Sequence, residues 1–325
     1  MPLRASDGRL AGVIGALLAA LFFGITPVVA GRAIKLIGFV RANVLRLSFA
    51  VVILGIWAFA FGQGLRGQTL LFVVAGAIGF GIGGLSLLAA LPRLGAPLAS
   101  LVEETVAAPV AAAVAWLWYS DKLSANQIAF CAVILVGVVI GLLPYVRRAT
   151  AGGSSRAIGL GIGLALLAAA AQGASFAATR HGLLLMKAAH TPPDVITVSF
   201  QRLIGGFAVA IVVFVVARWV WRRKWGFAAE DGSRKPILGS EGGKLTTRPL
   251  FWGSLNSLLG PMLGVTCTVW AQQSLNAGVV QSIAAVAPMI SVPFAFWLQG
   301  HKPPRLWYLG AAVAIVGLVL VDLNS

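Results

Sequence analysis

The chain has 325 residues, of which 59% are hydrophobic and 10% charged, with 39 glycines and a formal net charge of +16, whereas an ordinary soluble domain carries about 25% charged residues. A mean hydropathy of +0.92, and apolar stretches of roughly twenty residues recurring almost end to end, exclude a water-soluble enzyme. The 25 Lys and Arg fall almost entirely in short gaps between apolar runs, which is the pattern of membrane topology and excludes a nucleic-acid partner.

Residues 1–9 form a tail with Arg4 and Arg9 ahead of the first apolar run. This looks like the start of a signal peptide, but no soluble domain follows, so the first span is expected to be retained. A helix crosses the bilayer in about 20 apolar residues, and ten segments qualify: 10–30, 38–61, 70–91, 96–118, 125–145, 157–179, 194–217, 249–272, 277–298 and 306–322. The predicted fold class is an all-α membrane protein. Residues 218–248 form the one long polar segment, in which Trp219, Trp221 and Trp225 beside Arg222, Arg223 and Lys224 read as an interfacial anchor ahead of a Gly/Ser-rich loop. Cys131 and Cys267 lie inside apolar runs and read as packing residues, with no disulfide framework or metal site.

The first five spans superpose on the last five. Ala16-Leu17-Leu18-Ala19-Ala20 falls on Ala165-Leu166-Leu167-Ala168-Ala169, and Gly24 on Gly173, at an offset of 149. Arg46-Leu47 falls on Arg202-Leu203 at 156; Gly81, Pro109 and Trp118 fall on Gly260, Pro288 and Trp297 at 179; Lys122 and Gly137 fall on Lys302 and Gly317 at 180. Five is odd, so the second copy enters the membrane from the opposite side. Inverted repeats of this kind are a construction of secondary transporters, which exchange inward-open and outward-open shapes around a midplane site; the bland alternative is a duplicated scaffold with no transported ligand.

Several residues taken together resemble the EamA family of the drug/metabolite transporter superfamily. They are the glycine-rich first span ending in a cation (Gly15, Gly24, Lys35), Arg46 opening the second span with Ala50 four residues on, and Pro109 in span four. The turn at Asp121-Lys122-Leu123-Ser124 and the following Gly137 and Gly141 complete the set. The resemblance covers essentially the whole chain and lies in the order and repetition of these motifs. It departs in the turn after span four, where the family usually has a glutamate and this chain has Asp121, with Gly300 at the matching place in the second repeat. What it implies is a ten-helix carrier of small metabolites or drugs in the plasma (inner) membrane, commonly an exporter. The first EamA-like repeat would span 10–148 and the second 157–323.

Ten spans put both termini on one side. That side carries six basic residues, Arg4, Arg9, Arg66, Lys122, Arg180 and Lys187, and the opposite side carries 17, eight of them in the 218–248 loop. The charge rule therefore predicts termini outside the cytoplasm. Two-repeat members of the superfamily more usually have cytoplasmic termini, so the two warrants oppose each other and the orientation stays open.

Glu103 and Glu104 are the carboxylates well inside a span, where an ionisable group costs at least ~2.5 kcal/mol and marks a functional position by default. One of them is the candidate for exchanging protons with substrate; the structural alternative is an ion pair with Arg46 or Arg93. Arg46 and Arg202 occupy matching places in spans two and seven, where an arginine ties helices together or reaches for the head groups, with an anionic substrate as the functional alternative. Asn43, Gln172, Ser175, Gln201, Asn256, Ser257, Gln272, Gln273 and Gln281 offer donors and acceptors to a small polar ligand, against interhelical hydrogen bonds worth ~0.6 kcal/mol each. Gln172 stands out because small neighbours on its helix leave room for a cavity. Pro109 and Pro288 are the candidate symmetric hinges. The pairs Gly79/Gly83, Gly137/Gly141, Gly159/Gly163 and Gly260/Gly264 read as close-packing sites.

An intramembrane enzyme lacks its parts in this sequence. Asp7, Asp121, Asp194, Asp231 and Asp322, and His181, His190 and His301, lie in tails, loops or span ends, and there is no metalloprotease or Walker A motif. No cofactor is expected. The sequence reads as a secondary transporter working by alternating access, with a small-molecule substrate, the lipid bilayer as surroundings and proton coupling through the carboxylate pair; a channel or a non-transporting scaffold is the alternative.

Overall fold

The structure, a computed structural model, describes residues 5–151, 155–221, 226–228, 234–236, 246–299 and 304–324. Arg4, the Arg222–Trp225 anchor, Asp231, Lys244, Gly300, His301 and Lys302 lie outside the described residues. The rest is helical: α1 (Ala5–Ile37), α2 (Phe39–Ala60), α3 (Thr69–Gly76), α4 (Gly84–Tyr119), α5 (Ala125–Ala151), α6 (Ser155–Ala188), α7 (Val195–Trp221), α8 (Thr247–Ser257), α9 (Val265–Gln272), α10 (Ala277–Ala284), α11 (Ala287–Gln299) and α12 (Arg305–Asn324). Two three-residue strands, β1 (Gly226–Ala228) and β2 (Arg234–Pro236), pair antiparallel within the basic loop. Helices are what such apolar runs must form, because lipid offers the backbone no hydrogen-bond partner.

Among the described residues seven helical stretches are long and apolar enough to cross a membrane, one of them the 51-residue Thr69–Tyr119. That stretch is not one rod. Before Gly95 the chain runs antiparallel to α6, with Phe72 against Gly182, Gly79 against Ser175 and Gly83 against Ala171; after it the chain runs parallel, with Ala107 and Val110 against Gly173 and Tyr119 stacked on His181. The reversal is made by Gly95 at φ 73, ψ 160, and α1 gives way to α2 through Gly38 alone, at φ 77, ψ 160. That region of backbone space is open essentially only to glycine.

Two seven-residue π-helical segments interrupt the third helix of each half, Ala77–Gly83 between α3 and α4 and Leu258–Gly264 between α8 and α9. They lie 181 residues apart and match Gly79 with Gly260 and Gly83 with Gly264. This corrects the register of 179 that aligned Gly81 with Gly260. The second-half stretch 247–272 is cut by its π segment into helices of 11 and 8 residues and is not among those seven.

The two halves interlock reciprocally. A Cβ on Gly79 would meet Ser175 and one on Gly260 would meet Thr26; one on Gly24 would meet the Ala287 carbonyl and Ile290, and one on Gly173 the Ala107 carbonyl and Val110. Thus α1 lies against the third and fourth helices of the second half, and α6 against those of the first. Small residues let these backbones approach, the usual solution where lipid removes the hydrophobic drive between helices. The helices α5 and α12 cross on their own glycines: Gly137 faces Ala314, Gly317 faces Ile134, and Gly310 abuts the Gly141 backbone.

Candidate functional site

A cavity of about 60 Å³, its mainly apolar wall interrupted by charged and polar side chains, lies where the interlocked halves meet. The first half contributes Phe23, Thr26 and Pro27 from α1, Arg46 from α2, Gly79 and Phe80 from the π segment, and Ser100, Glu103 and Glu104 from α4; the second contributes Gln172 from α6, Gly260, Pro261 and Ala287. Glycines and an interrupted helix on two walls keep the space open, and irregular backbone at this depth is tolerated where it lines a cavity.

Glu103 and Glu104 are buried, at 5% and 6% exposure. The Gln281 side-chain amide donates to a Glu104 carboxyl oxygen at 2.6 Å, bringing a residue of the second half onto the carboxylate pair. Arg46 lies within electrostatic reach of Glu103, and its Nε donates to the Asn43 side-chain oxygen at 2.9 Å. Arg93 donates to the Ala89 carbonyl of its own helix.

The repeat-related Arg202 is fully buried and does not line the cavity. Its Nη2 donates to Ser175 Oγ at 3.1 Å, and its guanidinium carbon lies 5.1 Å from the Phe80 ring centroid and 5.8 Å from that of Phe176. Nε and Nη1 have no partner among the described residues. Two desolvated cation–π contacts supply about 2 kcal/mol each, against a desolvation penalty of several kcal/mol per buried ion.

The remaining candidates divide by place. Gln201 donates to the carbonyls of Gly64 at 2.9 Å and Arg66 at 3.0 Å, pinning the α2–α3 connection, and Gln272 donates to the Phe176 carbonyl at 3.2 Å. Both hold backbone away from the cavity. Asn256 and Ser257 are fully buried, with side-chain atoms that have no hydrogen-bond partner among the described residues, and lie outside the cavity lining. Gln273 donates to the Pro193 carbonyl at 3.2 Å. Pro109 is exposed within α4, whereas Pro288 is buried at the second residue of α11. The contacts of Gly24 and Gly173 match α4 to α11 at 180 residues, so the two prolines are one residue out of register, about 100° apart around a helix, and do not occupy equivalent positions.

Sequence reasoning missed Thr26, Ser100 and Phe80 in the cavity wall, and it read Gly79 and Gly260 as packing alone. It also missed a cluster at one end of the bundle. There Asp121 lies 3.8 Å from Arg180 Nε, accepts from the Asn276 amide at 2.5 Å, and Arg180 donates to the Gln272 carbonyl. The cluster joins the α4–α5 and α9–α10 turns. Burial pushes the Asp121 carboxyl above its ordinary value, and the Arg180 guanidinium partly offsets this. Among the described residues no cluster of His, Cys, Asp or Glu has the makings of a metal site.

Long apolar helices and a cavity holding buried carboxylates between two like halves define a multi-pass membrane protein of duplicated, helical construction. The model of the EamA-like transporter family matches residues 10–143 and again 159–322. The chain belongs to that family, within the drug/metabolite transporter superfamily. No curated protein matches it. A protein known from its crystal structure, 14% identical, superposes over 97% of each chain with a TM-score of 0.66, a likeness of fold alone.

Proposed function

We propose that the protein is a secondary active transporter, an exporter of small metabolites or drugs, with ten membrane crossings in two inverted five-helix repeats, 10–148 and 157–323, in the plasma (inner) membrane. Support for ten comes from the reversal at Gly95, the π-interrupted stretch 247–272 and the apolar helix Arg305–Leu320, which together account for three crossings beyond the seven long helices. Support for inversion comes from the reciprocal contacts, since a pairing of i with j and of j′ with i′ is what a two-fold axis demands, and with five spans per half that axis lies in the membrane plane.

The observation that carries transport is the cavity itself. It lies between the halves and holds the carboxylates Glu103 and Glu104 beside Arg46 and Gln172 in a mainly apolar wall, the place where substrate and coupling ion bind in carriers of this construction. Either carboxylate is suited to taking up a proton when the cavity opens to one side and releasing it to the other. Purified protein in liposomes on a solid-supported membrane, challenged separately with lipophilic cations, amino acids and nucleosides with and without a pH gradient, tests this. Saturable current that depends on the gradient is expected for one class. Flux that never saturates and shows no countertransport would make the protein a channel.

A further inference from the structure

Arg46 and Arg202 hold matching places in the two halves, yet the structure treats them differently. Arg46 opens into the cavity beside Glu103. Arg202 lies one layer back, without exposure, with Nε and Nη1 unpartnered among the described residues. The partition between them is Phe80, which lines the cavity and also covers the Arg202 guanidinium at 5.1 Å. Phe80 is carried on the π segment, between Gly79 and Gly81.

An arginine does not shed its charge inside a protein, and one hydroxyl with two aromatic faces does not replace the water it lost. Arg202 is therefore a cation held in wait of an anion. In a carrier made of two inverted halves, each end state gives one half the shape the other half has in the opposite state. What Arg46 does now, Arg202 does after the exchange. We infer that Arg202 is a second anion-binding position, closed off by Phe80 in the present state and opened to the cavity in the opposite one, so that an acidic group of the substrate, a carboxylate or its like, passes between Arg46 and Arg202 during turnover. This rests on the alternating-access reading proposed above.

Phenylglyoxal, which modifies accessible arginines, tests the exchange in the full-length protein reconstituted in liposomes. In a background with Cys131→Ala and Cys267→Ala, the pair Asp121→Cys and Asn276→Cys, at positions where the native side chains meet at their ends, is bridged by a short bis-methanethiosulfonate linker that holds the present state until it is reduced. Peptide mass spectrometry is expected to find Arg46 modified in both forms and Arg202 modified only in the reduced one. Arg202 untouched in the reduced protein, or equally modified in both, overturns the inference. Benzoate is expected to slow Arg202 modification in the reduced protein and chloride not to; the reverse order would assign the position to an inorganic ion and overturn it.

A separate protein carrying Ser100→Cys in the same Cys131→Ala, Cys267→Ala background reports the parent reading. Labelling by an impermeant thiol reagent from both sides of the membrane, with Arg202 unreactive, overturns the arginine exchange and leaves alternating access standing; labelling from one side only removes both. Arg202→Met adds a readout independent of turnover. The melting temperature is expected to rise as an uncompensated buried charge is removed, and a fall would mark Arg202 as a structural cation and overturn the proposal.

Discussion

Gln281, on α10 of the second half, holds Glu104 of the first half through a 2.6 Å hydrogen bond from its side-chain amide. One bond therefore couples a charged candidate to the opposite repeat. Gln281→Leu leaves a buried carboxyl without its donor, which costs about 1–3 kcal/mol and should show as a lower melting temperature in detergent. Glu104→Gln keeps a hydrogen-bonding group there and should melt close to the wild type while losing pH-driven current. Unchanged current and pH dependence in both Glu103→Gln and Glu104→Gln would remove the proton role.

The matched glycines of the π segments should not tolerate alanine equally. A Cβ at Gly79 drives into Ser175 Cβ and Oγ, whereas one at Gly260 meets Thr26 Cγ2 at 3.0 Å, a smaller overlap to relieve. Gly79→Ala is expected to cost about 1–3 kcal/mol, as overpacking does, and Gly260→Ala less. Ser175→Gly in the same chain should restore most of the Gly79→Ala loss, and a thermal melt of the three proteins decides it.

At Gly38 and Gly95 the objection to alanine is conformational. Each sits near φ 75, ψ 160, where a side chain costs about 1–3 kcal/mol. Gly31→Ala is the control, with nothing within 4 Å of the added carbon. Expression and monodispersity in size-exclusion chromatography should fall for Gly38→Ala and Gly95→Ala and hold for Gly31→Ala; three indistinguishable profiles would contradict the strain.

Asp121 predicts a pH dependence outside the spans. Its carboxyl titrates above the ordinary aspartate value because it is partly buried, with Arg180 pulling the other way. A raised value means the folded state binds the proton more readily. Stability from this group is thus fullest below the unfolded value of about 3.9 and is lost as pH rises through the folded one. Arg180→Gln should push the folded value further up and widen that window, while Asp121→Asn should abolish the group's contribution. Melting temperatures across an acid-to-neutral series check both, and identical curves for all three proteins would refute them.

Much of the fold was legible in the sequence because lipid leaves few choices: each apolar run had to be a helix, and Gly24, Arg46 and Gly137 gave away the duplication. The register between halves was not legible, because a π turn adds a residue without changing composition, and Gly81 and Gly79 serve a sequence match equally well. The cavity was half legible. Glu103, Glu104, Arg46 and Gln172 announced themselves by polarity, but Phe80 and Thr26 look like ordinary span residues until the partner helix is in place. Gln201 and Gln272 carried the same polar signal as Gln172 and turned out to hold backbone, a distinction that depends on which helix face meets which neighbour.

The single residue between α1 and α2 has a mechanical consequence. Joined through Gly38 alone, these two helices have one hinge residue and no slack between them, so a tilt that displaces the end of α1 also displaces the start of α2, about two turns ahead of Arg46. The second half is built otherwise: α6 and α7 are separated by residues 189–194, enough chain to absorb part of the same tilt before it reaches Arg202. One half behaves as a crank and the other as a lever with play. The duplicated halves should therefore move with unequal stiffness, and the stroke in one direction need not retrace the stroke in the other.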